Sequence, residues 1–186
     1  MSKAADEIWA ILREVAESQK ETERRFKETE RRFKDTDIRI KEMTANIGRL
    51  GNRLGEFIED AVRPSAVRLF REQGIDIHEV QQNVTVQRGE EGIEIDLMVV
   101  NDIDLVAVEC KSNLKQQDIE EHLARLSKIK RLMPKYANSR VMGAVAAMVI
   151  PDNVARYAFS KGLFVIGQSG EHLEIRNGAG FKPAVW

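Results

Sequence analysis

The chain has 186 residues, room for one compact domain plus an extended arm. A formal net charge of −1 excludes a global positive field that would draw in nucleic acid, so any phosphate-binding surface must be local. The single cysteine, Cys110, excludes an internal disulfide. No stretch reads as a signal peptide or a membrane span, which points to a cytoplasmic protein without membrane contact.

The first element is a long helix. Residues 21–55 repeat every seven as ETERRFK, ETERRFK, DTDIRIK, EMTANIG and RLGNRLG. One position carries Thr22, Thr29, Thr36, Met43 and Leu50; another carries Phe26, Phe33, Ile40, Ile47 and Leu54. The alternating steps of four and three continue backward through Gln19, Val15, Leu12 and Ile8, which is a coiled-coil pattern. Proline and glycine are absent from Met1 to Ile47. Residues 8–50 therefore read as one uninterrupted helix of about 65 Å at 1.5 Å per residue. A stripe this narrow cannot be buried by one helix, so residues 1–50 are expected to form an oligomerisation arm. Symmetry makes a homodimer the default, and Thr and Phe at core positions leave a trimer or tetramer open. Arg24-Arg25 and Arg31-Arg32 have a second reading as phosphate contacts, but acids accompany them in near-equal number, as on a solvated, salt-bridged coil.

Residues 51–186 read as one further domain. Residues 53–73 have helical spacing through Leu54, Phe57, Ile58, Ala61, Val62, Leu69 and Phe70. Gly74 is a stop signal, and Pro64 predicts a kink or break near Arg63. A first strand lies within Ile75–Val86. Two apolar runs follow, 93–100 and 103–111, separated by the turn signal Asn101-Asp102. Residues 115–133 form an amphipathic helix through Ile119, Leu123, Leu126, Ile129 and Leu132, ending before Pro134. Val141–Ile150 is a buried strand, Pro151-Asp152 opens a short helix to Lys161, and Leu163–Ile166 is a last strand. The glycine-containing C-terminal stretch reads as turns. Strands alternating with helices predict α/β architecture with a partly parallel sheet.

The chemistry concentrates in residues 92–111, GIEIDLMVVNDIDLVAVECK. Charged groups avoid strands this apolar, because burying a carboxylate is unfavourable unless something compensates it. If Asn101-Asp102 form a two-residue loop, Val100 pairs with Ile103, Asp96 with Ala107, and Glu94 with Glu109. Glu94, Asp96, Glu109 and Lys111 then share one sheet face. A loop of three residues would put Asp96 on the face opposite Glu109. Clustered carboxylates suit Mg²⁺ or Mn²⁺, hard cations that take oxygen ligands, and a lysine beside them can orient or deprotonate water and offset negative charge. Cys110 points to the other face, into packing.

These residues resemble the PD-(D/E)XK nuclease superfamily, above all its Holliday-junction-resolvase-like branch. The resemblance rests on Gly51-Asn52-Arg53-Leu54-Gly55-Glu56, then Glu94-Ile95-Asp96, then Val108-Glu109-Cys110-Lys111, in that order. It covers about residues 50–167 and implies an αβββαβ restriction-endonuclease-like core with a mixed sheet. By the match, Asp96 and Glu109 look like metal ligands and Lys111 like the catalytic lysine. Glu56 looks like the helix-borne acid that completes the site, with Glu59, one turn on, as its rival. The motif's proline is replaced by Ile95.

The reading is a metal-dependent nuclease that hydrolyses DNA phosphodiesters, carried on a self-associating coil. The alternative is an inactive adaptor of the same fold that acts through the coil, or a subunit that needs a partner for DNA contact. Arg125, Lys128, Lys130, Arg131, Lys135 and Arg140 cluster around the helix after the motif. Of these, Arg125, Lys128 and Arg131 are the candidates for phosphate contact. His78, His122 and His172 lack metal-ligand spacing and are expected at the surface or at helix caps.

Overall fold

The structure, a computed structural model, describes residues 3–170 and 172–186, without the side chains of residues 3–6, 49, 50 and 52–54. Leu50 and Leu54 of the heptad pattern, and Asn52-Arg53 of the glycine motif, therefore have side chains outside the described residues. The chain divides into two compact units, 1–50 and 51–186. Helix α1, Lys3–Glu72, contributes to both.

In the first unit, straight-chain residues favour the helix, and Glu–Arg pairs one turn apart reinforce it. Arg25 and Arg24 lie 3.0 and 3.1 Å from Glu21, and Arg32 lies 2.7 Å from Glu28. The heptad stripe is open to solvent: Phe26 is 67% exposed and Phe33 71%.

The second unit is a sheet with helices on both faces. Strands β1 (Glu79–Arg88), β2 (Glu91–Val100), β3 (Asp104–Asn113), β4 (Arg140–Val149), β5 (Phe164–Ser169) and β6 (His172–Ile175) lie side by side in chain order. β3, β4 and β5 run parallel, and the outer pairings are antiparallel. Helix α2 (Gln116–Leu132) connects β3 to β4, and α3 (Asp152–Ser160) connects β4 to β5. The expected α/β class and mixed sheet are thus observed. No helix among the described residues is long and apolar enough to cross a membrane.

Two apolar layers hold the domain. On one face, Ile58, Val62, Ala66, Leu69 and Phe70 of α1 pack on Leu97, Val99, Val106, Val108, Ala144, Phe164 and Ile166. On the other, Ile119, Leu126, Ile129 and Leu132 of α2, with Ala155 and Ala158 of α3, cover Leu105, Ala107, Val141, Val145 and Val165. β3 and β4 are buried from both sides, which is why they read as unbroken apolar runs. Gly143 in β4 permits this closeness, since a Cβ there would collide with Leu126 and Leu163.

Two expectations, the break at Pro64 and the C-terminal turns, are corrected, and the stop at Gly74 is observed. The helix runs through Pro64 without interruption. Pro64 lies on the exposed side, where the carbonyl it leaves unbonded can be hydrated, while the buried stripe on the opposite side holds the turns together. The break comes at Gly74, at φ 79°, with Ile75 N–H donating to Phe70 O at 3.0 Å. The C-terminal stretch is not all turn: β6 adds a strand, and Phe181 meets Phe164 edge-on at 5.3 Å. Phe70 meets the same ring from its own side at 5.5 Å.

Phe164 thus joins α1, the sheet and the C-terminal segment. Phe164→Ala is expected to lower stability by about 3–5 kcal/mol, read as a drop in the urea midpoint at unchanged slope.

Candidate active site

The motif strands do not pair as expected. Val100 lies opposite Leu105, so four residues, 101–104, make the connection instead of two. The Asn101 side chain closes it, its Oδ1 accepting from Ile103 N at 2.8 Å and Asp104 N at 2.5 Å. The register is displaced by two residues. Because side chains alternate with period two, an even displacement returns each residue to its face. Continuing the register past the last pair, Leu97–Val108, would set Asp96 opposite Glu109 rather than Ala107.

The ladder stops there. Asp96 Oδ2 accepts from Cys110 N at 2.7 Å, so a carboxylate takes the amide just beyond the last ladder pair. On its other side Asp96 faces Asn83, at φ 51°, and these two interrupt the β1–β2 ladder between Gln82–Leu97 and Val84–Ile95. Alternation then changes phase. Met98 and Val100 pack in the α2 layer with Ile93 and Ile95, while Leu97 and Val99 pack in the α1 layer. In β1, Val80 packs in the α1 layer and Val84 and Val86 in the α2 layer. Both strands exchange faces at the Asn83–Asp96 level.

The exchange separates residues that regular alternation would have grouped. Glu94 and Asp96 line an open cleft of about 500 Å³ together with Glu56, Glu59, Asn83, Lys111 and Ser112. Glu109 is not among its lining residues. It lies beneath, 2% exposed, on the α2 side. Of the three acids and one lysine expected to share a face, Glu94, Asp96 and Lys111 meet in the cleft, and Glu109 reaches it only through Lys111. Glu56 and Glu59 of α1 both border the cleft. Glu59 is the more enclosed: burial, then Asp96 and its other acidic neighbours, hold its carboxyl above the usual range.

Glu109 has three cationic or polar neighbours. Lys111 Nζ is 2.7 Å from Oε1, Arg125 is 2.8 Å from Oε2, and His122 Nδ1 is 3.9 Å from Oε2. Burial alone would push the Glu109 carboxyl up, but Lys111 and Arg125 outweigh it and hold the group below its ordinary value. The Lys111 contact is an ion pair without hydrogen-bond alignment, so Oε1 is buried without an aligned donor, and the Arg125 Nε–H is buried without an acceptor. Burial would lower the Lys111 ammonium, yet Glu109 raises it, so the group is charged at neutral pH. His122, expected at the surface or a cap, is buried instead. Desolvation drives it down to about 4, and its Nε2 lies 3.2 Å from Ala107 O.

The basic cluster is also rearranged. Arg125 turns inward to Glu109 and to Glu94 O, Arg131 pairs with Glu91, and Arg140 lies 2.7 Å from Asp104. Of the three phosphate candidates, Lys128 alone is without an ion pair among the described residues. Asn83 and Ser112, cleft residues missed from sequence, carry only a weak signal: Asn tolerates the left-handed conformation.

The donor chemistry fits a hard divalent cation. Four carboxylates and one lysine line the cleft, and Glu109 Oε1 behind it lacks an aligned donor. Among the described residues no three His, Cys, Asp or Glu side chains converge tightly enough to ligate an ion alone. Mg²⁺ does not require that, since one or two carboxylates suffice when waters complete the octahedron.

No protein-family model matches the chain, and no curated protein matches it. Solved structures with partial likeness include a repair endonuclease from Pyrococcus abyssi, 15% identical over 57% of this chain and 45% of that one, TM-score 0.43. Protein VC1899 from Vibrio cholerae is 23% identical over 61% and 30%, TM-score 0.43. Can2 from Sulfobacillus thermosulfidooxidans, in complex with cyclic tetra-adenylate, is 13% identical over 62% and 32%, TM-score 0.40. The chain spans less than half the length of each of these three.

Two stability measurements follow from the electrostatics. Burial and the nearby Glu109 hold the Asp96 carboxyl above its ordinary 3.8 in the folded chain. Its ionisation therefore weakens the fold as pH rises through the folded pKa, and the penalty is absent well below 3.8. Asp96→Asn is expected to stabilise the protein at pH 7 by urea unfolding, with the gain shrinking steadily toward pH 4. Glu109→Gln should do the opposite. It leaves Lys111 and Arg125 without a counter-charge and should lower stability by about 3 kcal/mol, the low end for breaking a buried pair because Lys111 regains water.

Proposed function

We propose that residues 51–186 form a Mg²⁺- or Mn²⁺-dependent nuclease acting on DNA phosphodiesters, and that the chain self-associates through residues 1–50. The observation that carries the first part is the cleft in which Glu56, Glu59, Glu94 and Asp96 surround Lys111. Without a cation such a cleft repels a phosphodiester; with one, the same carboxylates bring the two together.

In this reading Asp96, with Glu56 or its neighbour Glu59, holds the ion in the cleft, and Glu109, expected from the sequence as a second ligand, acts from beneath through Lys111. When bound, the ion polarises a phosphoryl oxygen and acidifies a water. The chain's own residues do the rest. Lys111, an ammonium steadied by Glu109, donates to the scissile phosphate or to the attacking water and offsets the charge that develops there. The Cys110 N–H fixes one Asp96 oxygen and leaves the other for the cleft. Arg125 keeps Glu109 ionised and in place, a positioning role rather than a contact with DNA. Lys128 is left as the candidate phosphate contact of α2.

Full-length protein should nick plasmid DNA with Mg²⁺ or Mn²⁺ and not with EDTA. Asp96→Asn and Lys111→Ala should each reduce the rate by at least about a hundredfold while the unfolding midpoint stays at or above the parent's for Asp96→Asn. Calorimetric titration with Mn²⁺ should give a binding signal that Asp96→Asn weakens. A folded parent that neither binds the metal nor cleaves DNA would overturn the nuclease reading and leave an adaptor acting through its coil.

A further inference from the structure

The apolar stripe of α1 has charged flanks of opposite sign on its two sides. Phe26, Phe33, Ile40 and Ile47 stand at heptad position a, and Thr22, Thr29, Thr36 and Met43 at position d. The residues that follow the first three d positions are Glu23, Glu30 and Asp37; those that precede the first three a positions are Arg25, Arg32 and Arg39. One edge is thus acidic and the other basic over three heptads.

We infer that the partner of this stripe is a second copy of the chain, aligned parallel and in register. This deepens the self-association proposed above and is independent of the nuclease reading. In a parallel coiled coil, the residue before an a position faces the residue after the following d position on the other helix. Arg25 then faces Glu30 of the second copy, and Arg32 faces Asp37 of the second copy. Two-fold symmetry repeats both contacts, giving four attractions. In an antiparallel pair like edges meet, arginine against arginine and acid against acid. A staggered parallel pair would leave one end of each stripe uncovered and the assembly open.

The side chains support this partner. Phe26, Phe33, Ile40, Met43 and Ile47 are 55–71% exposed, so the seam is uncovered in the single chain. The threonines between them are no obstacle to burial. Thr22, Thr29 and Thr36 donate their hydroxyls to Ser18 O, Arg25 O and Arg32 O at 2.9, 2.8 and 2.8 Å, so each polar group is already satisfied within its own helix. Arg25 and Arg32 are engaged with Glu21 and Glu28 of their own helix, whereas Glu23, Glu30 and Asp37 are exposed and make no ion pair among the described residues. The acidic edge therefore has its charge available for a second helix.

The test uses two full-length variants, Arg25→Glu with Arg32→Glu, and Glu30→Arg with Asp37→Arg. By sedimentation at low salt, each alone should self-associate at least about thirtyfold more weakly than the parent. An equimolar mixture should recover association close to the parent's, because every edge contact is again between opposite charges. Thr22→Cys should also oxidise to a disulfide-linked dimer, since position 22 meets itself only in the parallel, in-register pair; Cys110 is buried and should stay unreactive. A parent that remains monomeric overturns both self-association and the orientation. A parent that associates while the charge variants match it, or whose variants fail to recover on mixing, overturns the orientation alone. Neither outcome touches DNA cleavage.

Discussion

The need to neutralise one carboxylate organises the domain. Glu109 is enclosed almost completely, in a strand covered from both sides, and an isolated carboxylate there would be strongly disfavoured. The compensation arrives from two directions. Arg125 reaches down from α2, and Lys111 reaches back from two residues along the same strand. That arrangement ties α2 to β3 by charge as well as by packing. It also fixes where Lys111 can be, at the rim of the cleft with its ammonium tethered. A lysine on a free tether would lose more rotational freedom each time it met a substrate.

The second constraint is the phase change at Asn83 and Asp96. Alternation carried back unbroken from Leu97–Val100 would have sent Glu94 and Asp96 to the α2 side, into packing, and Ile93 and Ile95 to the side of Glu56 and Glu59, and burial of that kind is costly for a carboxylate. By exchanging faces, β1 and β2 keep valines and isoleucines on α2 while their acids turn to the side where Glu56 and Glu59 stand. The local loss of ladder bonds is offset by the Asp96 bond to Cys110 N. Irregular strand geometry of this kind, next to a group of half-buried charges, is where departures from ideal structure are expected to concentrate.

Much of this was legible in the sequence. The apolar runs located every strand but β6, and the α2 stripe from Ile119 to Leu132 located its helix to within a residue. The turn after Val100 is longer than its sequence motif suggests because Asn101 acts through its side chain, capping a four-residue loop. The faces of β3 are unaffected because the displacement is even. What sequence could not supply is the partnership of Glu109 with Arg125. The two are sixteen positions apart on different elements, and Arg125 belongs to a run of cations that reads as solvated. His122 is similar: nothing in its spacing announces that its ring fills the space beside Glu109. Pro64 is the converse case, a strong local signal overridden by the packing of Val62, Ala66 and Leu69.

The order of the strands has a kinetic consequence. Each of the six is flanked in the sheet by its neighbours in the chain, so no strand must be threaded between two that are already paired. Closing the sheet then requires only hairpin loops and two helical crossovers, whose entropic demand grows slowly with length. A low separation between contacting segments favours rapid assembly and shortens the time during which β3 and β4, the most apolar strands, are open to other molecules. On the ribosome the helical segment that covers one face is synthesised before any strand, and each strand finds its immediate predecessor waiting.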